Sequence, residues 1–310
     1  MHLAVLLWGF TGVLGRAIAL DAPVLVWYRM LLTAFFMAVI LYYRKQWSRI
    51  ERKDMLQLSL VGCLMGIHWV AFYGSIKLSN ASIALICLSA ASIFTTIIDA
   101  LIHKIRIDAK ELFIGALALL GVFLMYLIPE LEGRSAGMAK DDPLPYRNLG
   151  ILAGIAAAFL SALFTVLNKR IASKYPARTM VFYEMGTGWL LITLLLPLQL
   201  FYVPETRMMP SASDLLWLVV LSLCCTVWAQ SLALNALKQI SSFTATLSVN
   251  LEPLYGIILA FLLYRENQEL SWSFYVGMAF ILLSVAFQMK RLLSPQKVSP
   301  GYIREKGGIE

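Results

Sequence analysis

Apolar residues run along this chain in blocks of roughly 17–25, the length a helix needs to cross about 30 Å of hydrocarbon. Short charged or Pro/Gly-bearing segments separate the blocks. The pattern predicts helices over Leu3–Leu20, Val24–Tyr43, Met55–Ile76, Ser82–Ile102, Leu112–Ile128, Leu149–Ile171, Met180–Tyr202, Leu215–Leu237, Phe243–Tyr264 and Trp272–Met289. The expected fold is an all-α polytopic membrane protein with ten transmembrane helices. The first block is read as a retained helix, because only His2 precedes it as a basic group and no small-residue cleavage site follows it.

Composition agrees with a bilayer environment. The chain is 60% hydrophobic and 14% charged, with a mean hydropathy of +0.75, whereas soluble domains carry about 45–50% apolar and 25% charged residues. The net charge of +8 would suit nucleic acid in a soluble protein. Here the placement of the 26 Lys and Arg residues follows topology instead: with the N-terminus inside, 18 fall in cytoplasmic segments and 6 in outer loops. That bias obeys the positive-inside rule and places both termini in the cytoplasm of an inner (plasma) membrane protein. Nucleic-acid binding needs a contiguous basic face, and none is needed to explain these charges. Cys63, Cys87, Cys224 and Cys225 lie inside predicted spans without metal-type spacing and read as packing residues.

The connection Pro129–Asn148 is the longest between spans and is rich in acidic, Gly and Pro residues, so it divides the chain into residues 1–128, a linker 129–148, residues 149–290 and a basic tail 291–310. Five crossings per half force the second half to enter from the opposite face, which makes any internal similarity an inverted repeat. At an offset of 161, Leu60 pairs with Leu221, Cys63 with Cys224, Lys77 with Lys238 and Ala84 with Ala245. At a slightly shorter offset, Phe10-Thr11 meets Phe164-Thr165, and Tyr28-Arg29-Met30 meets Tyr183-Glu184-Met185.

Trp8-Gly9 in the first helix, Arg29 in the second, Leu237-Lys238 before the ninth, Glu252-Pro253 within it and Arg265-Glu266 at its outer end stand in an order that resembles the drug/metabolite transporter superfamily, specifically the EamA-type ten-helix permeases. The resemblance runs from Trp8 to about Met289. It implies two five-helix repeats and transport of a small metabolite. The first half departs from the pattern, with His103-Lys104 opposite Tyr264-Arg265 and Ser92 where a Pro is expected, so the halves are not equivalent.

A carrier needs a cavity lined by groups that exchange hydrogen bonds with a solute. Helical spacing puts Thr246, Asn250 and Pro253 on one face, Ser161, Thr165 and Asn168 on another, and Trp8, Thr11 and Gly15 on a third, with Ser89 at the position matching Asn250. His68 and Trp69 on the third helix and Trp228 on the eighth add aromatic surface for a flat solute or a cation. Together these are the expected substrate pathway. The competing reading for each Ser, Thr or Gly is close helix packing, as for Gly62-x-x-x-Gly66 and Gly150-x-x-x-Gly154. For the aromatics and His68 it is core packing. The intramembrane ionisable residues Arg29, Glu184 and Glu252, the last beside the kink expected at Pro253, are candidates for coupling or gating. Glu184 has Lys169 or Arg170 as its expected partner, and a proton is one option for the coupling ion.

Two other classes compete with a carrier. A membrane-embedded transferase would need clustered acids and a metal, and the only adjacent acids, Asp141-Asp142, lie in the linker. A non-transporting receptor or scaffold would carry a soluble extension larger than the tail after Met289. No phosphate-binding loop is present, and neither cofactor nor metal is expected. The expected partners are a small-molecule substrate and the lipid bilayer, in a monomer or homodimer.

Overall fold

A computed structural model describes residues 1–79, 81–131, 144–252, 255 and 272–293. Every regular element among them is helical: α1 (His2–Ala17), α2 (Ala22–Tyr43), α3 (Arg52–Leu78), α4 (Ala81–Ser89), α5 (Ala91–His103), α6 (Ala109–Leu131), α7 (Leu144–Ala172), α8 (Ala177–Tyr202), α9 (Ala212–Ser222), a π-helical turn (Leu223–Trp228), α10 (Ala229–Leu237), α11 (Ser242–Val249) and α12 (Trp272–Leu293). Within these residues six helical runs are long and apolar enough to cross a membrane, from Ala22–Tyr43 to Ala212–Leu237. The chain is therefore a multi-pass membrane protein.

Two of the predicted spans are interrupted, the fourth of them where the sequence reads as continuous. The fourth divides at Ala90, whose N–H reaches the Cys87 carbonyl three residues back instead of four. Around the break Ser89 and Ser92 hydroxyls donate to the carbonyls of Ile86 and Ser89. Such local bonds compete with the helical ladder and bend it. The ninth tightens in the same way, with Leu251 N–H bonded to Ser248 O and Asn250 N–H to Leu247 O. Pro253, expected to cause the kink in that helix, lies outside the described residues, as do Arg265 and Glu266.

The main core joins α2, α3, α8 and α9 through fully buried Leu25, Met37, Leu58, Met180 and Leu218 among others. α3 also packs along α7, and α6 along α12. The α3–α8 crossing is made by backbone. A Cβ on Gly188 would sit 2.6 Å from the Gly62 carbonyl oxygen, and one on Gly62 would collide with the Glu184 carbonyl. Loops are pinned by polar contacts: Asp214 closes a capping box with Ser211 and accepts the Ala19 N–H at 2.9 Å. Arg291 of α12 meets Asp108 and Glu111 at the start of α6. Beside α7, Tyr175 donates to Asp54 at 2.8 Å, and that bond holds the phenol above its ordinary pKa.

Candidate functional site

Several helices turn the same kind of stripe towards one internal cavity. Met65, His68, Trp69 and Phe72 of α3 recur at i, i+3, i+4 and i+7. So do Ser161, Phe164, Thr165 and Asn168 of α7, and Gln230, Ala233, Leu234 and Leu237 of α10. α1 adds Trp8 and Thr11, α2 adds Arg29, and the α11 segment adds Thr246, Val249 and Glu252. The space enclosed is about 120 Å³, room for several waters when one needs about 10–15 Å³.

Arg29 is 2% exposed and built into this wall. Its Nε donates to Thr226 Oγ1 at 2.9 Å, Nη1 to Tyr73 OH at 3.0 Å and Nη2 to the Cys225 carbonyl at 3.4 Å. Its guanidinium carbon lies 3.9 Å from the Trp69 ring centroid, a cation–π contact. The π-turn accounts for two of these partners. One wide turn leaves carbonyls off the i→i−4 ladder, and Arg29 together with the Thr226 hydroxyl, which donates to Leu221 O, satisfies them. Glu252 lies on the same wall, and among the described residues no ion pair within 4.0 Å joins it to Arg29.

His68 Nδ1 donates to the Ala157 carbonyl at 2.8 Å, and its ring packs against those of Phe72 and Phe164. Glu184 does not touch the cavity. It is fully buried, with its carboxylate against the Asn168 carboxamide, whose Oδ1 is unpartnered. The partners expected for Glu184 are engaged elsewhere. Lys169 Nζ donates to the carbonyls of Leu237, Lys238 and Ile240 at the end of α10, and Arg170 Nη2 reaches the Ile102 carbonyl at 3.3 Å.

Of the residues singled out in sequence, the fold brings Trp8, Thr11, Arg29, His68, Trp69, Ser161, Thr165, Asn168, Thr246 and Glu252 together on the cavity wall. Ser89 and Asn250 line a small adjoining pocket instead, each beside a tightened turn. Trp228 points the other way, 65% exposed, on the outside of the π-turn. Gly15 lies within α1. Sequence reading missed Gln230, Phe164 and Met65. The i, i+3, i+4, i+7 stripe of α10 was the available signal for Gln230, hidden by a span that is apolar on all sides.

An uncharacterized transporter of Archaeoglobus fulgidus is 25% identical to this chain over 252 residues, covering 81% of the chain and 82% of the relative. The riboflavin transporter ImpX of Fusobacterium nucleatum is 26% identical over 191 residues, covering 58% of the chain and 60% of that protein. A solved crystal structure superposes with a TM-score of 0.71 over 94% of this chain and 96% of its own, at 18% identity, a likeness of fold. The family model described as the EamA-like transporter family matches residues 1–127 and again residues 148–289. This chain belongs to the EamA-like transporter family.

Proposed function

We propose that this chain is a secondary transporter that carries a small amphipathic metabolite, such as an amino acid, across the inner membrane by alternating access. In this reading ten spans form two inverted five-helix repeats with both termini cytoplasmic. The observation that carries it is a buried cation and a carboxylate, Arg29 and Glu252, set on one aromatic-lined wall with no ion pair within 4.0 Å between them among the described residues. Of the five guanidinium N–H groups, Arg29 uses three, which leaves two for a solute carboxylate. A solute ammonium would face Glu252, and its apolar part would lie against Trp8, Trp69 and Phe164. The pseudo-symmetry is supported by the helix breaks: the Cys87–Ala90 and Ser248–Leu251 bonds are related by the same offset of 161 as the paired residues.

A second reading is a flat heteroaromatic solute. The stripe of rings favours it, and one relative is named a riboflavin transporter. The test is flux in proteoliposomes holding the purified chain, with labelled amino acids and riboflavin presented separately and with or without a proton gradient. Saturable counterflow of an amino acid supports the first reading, and counterflow of riboflavin alone supports the second. Binding without flux for every solute would reject transport in favour of a receptor.

A further inference from the structure

A groove of about 920 Å³ runs along the outside of the bundle and shares no lining residue with the central cavity. It lies between the start of α1, the end of α2 with its following turn, the start of α8, and the π-turn with α10. The rim is cationic, formed by Arg44, Lys45, Arg178 and Lys238, and no acidic side chain lines the groove among the described residues. The rest of the wall is mainly apolar, with Leu3, Ile40, Val227 and Leu232 beside Trp47 and Trp228, and Ser231 and Asn235 are polar positions on it. Trp228, Leu232 and Asn235 form the face of the π-turn and α10 opposite the stripe that lines the cavity, so one helix serves two separate surfaces.

Two details show that the rim is held in place. Lys45 N–H bonds to Tyr42 O and Gln46 N–H to Leu41 O, both at 3.1 Å, the paired closure of a Schellman helix end. The residue at its left-handed position is ordinarily glycine, yet here Lys45 has φ of 51°. Backbone strain is thus tolerated where the ammonium joins the rim. Arg178 donates to Gln46 Oε1 at 2.8 Å, which ties the start of α8 to the same turn.

We propose that this groove binds an anionic phospholipid, with the phosphate among Arg44, Lys45, Arg178 and Lys238 and an acyl chain along the wall beside Trp228. Charge complementarity selects an anionic headgroup. The apolar wall selects a lipid over a free phosphate, because Leu3, Leu232 and Trp228 continue the exposed apolar surface that meets the bilayer. The site is independent of the solute in the cavity and stands or falls separately from the transport reading.

The test uses the full chain in phosphatidylcholine nanodiscs carrying an equal minor fraction of either brominated phosphatidylglycerol or brominated phosphatidylcholine. Quenching is read as the difference between wild type and Trp228→Phe, which isolates Trp228. The expected result is roughly two-fold or greater stronger quenching by the anionic lipid. That preference disappears in the Arg44→Gln, Lys45→Gln, Arg178→Gln, Lys238→Gln variant. Lys45→Gly relaxes the helix end while removing one charge, so it reports a partial loss of preference in a chain that still folds. Millimolar inorganic phosphate leaves the quenching unchanged. Equal quenching by both lipids, a preference retained in the charge variants, or reversal by phosphate alone would each overturn the proposal.

Discussion

Ser89 and Asn250 line one small pocket, and each sits beside a helical turn tightened to an i→i−3 bond. They occupy matching positions in the two halves of the chain. Two broken helices therefore meet next to the cavity, where discontinuous segments provide bending points in a carrier. Asn250 Nδ2 is buried without a partner. Replacing it by Leu removes that unmet donor, so Asn250→Leu is expected to leave the melting temperature unchanged or raised while flux falls at least ten-fold. A variant with lower stability and unchanged flux would show that the amide serves packing alone.

Arg29 is expected to resist even conservative exchange. Lys keeps the charge but cannot reach Thr226, Tyr73 and the Cys225 carbonyl together. Each acceptor left unmet costs about 1–3 kcal/mol. Arg29→Lys should therefore lower both the thermal midpoint in detergent and transport, and Arg29→Ala should yield little folded protein by size-exclusion chromatography.

The glycine contact between α3 and α8 separates steric from polar effects. Gly62→Ala forces a methyl against the Glu184 carbonyl and should destabilise by about 1–3 kcal/mol. Gly74→Ala, whose added carbon meets nothing within 4 Å beyond its own helix backbone and chain neighbours, is the control expected within about 0.5 kcal/mol of wild type. Equal melting temperatures for the two would mean that the crossing opens readily.

Glu252 and Glu184 are separated by their surroundings. Glu252 faces the cavity, so Glu252→Gln is expected to abolish gradient-driven accumulation and to weaken exchange of a solute that carries an ammonium, while exchange of a solute without one continues. Glu184 is sealed beside Asn168, and Glu184→Gln supplies an amide N–H to the unpartnered Oδ1, so folding stability should hold or increase. Wild-type accumulation in Glu252→Gln would assign that carboxylate to structure.

Topology is checked by reporter fusions. Those at Arg49, Arg106 and Lys174 should report cytoplasm, and those at Gly137 and Met209 the opposite side. Reporting from the same side by Gly137 and Lys174 would reject the inverted arrangement.

The membrane class and much of the cavity wall were legible because they depend on local signals: apolar block length, and a polar residue every third or fourth position. Ser161, Thr165 and Asn168 share a face in any helix, and the fold keeps it. Ser89, Asn250 and Trp228 were misplaced because their directions depend on departures from the ideal period. Ser89 and Asn250 sit at the edge of tightened turns and Trp228 ends the widened one, so an ideal period drawn through them misreads their faces. Apolar composition carries no mark of such turns. The pairing of Glu184 with Lys169 failed for a related reason: in sequence the nearest cation is an obvious partner, whereas three helix-end carbonyls hold that lysine in the fold.

The bonds of Arg29 also place a demand on biosynthesis. Its partner Thr226 lies 197 residues later in the chain. At about 5–20 residues per second, roughly ten to forty seconds pass between the emergence of the arginine and that of the hydroxyl and carbonyl that receive it. During that interval the second helix carries an unmet cation, and the chain depends on the insertion machinery, or on an early bond from Tyr73, to keep the helix from slipping back out of the bilayer.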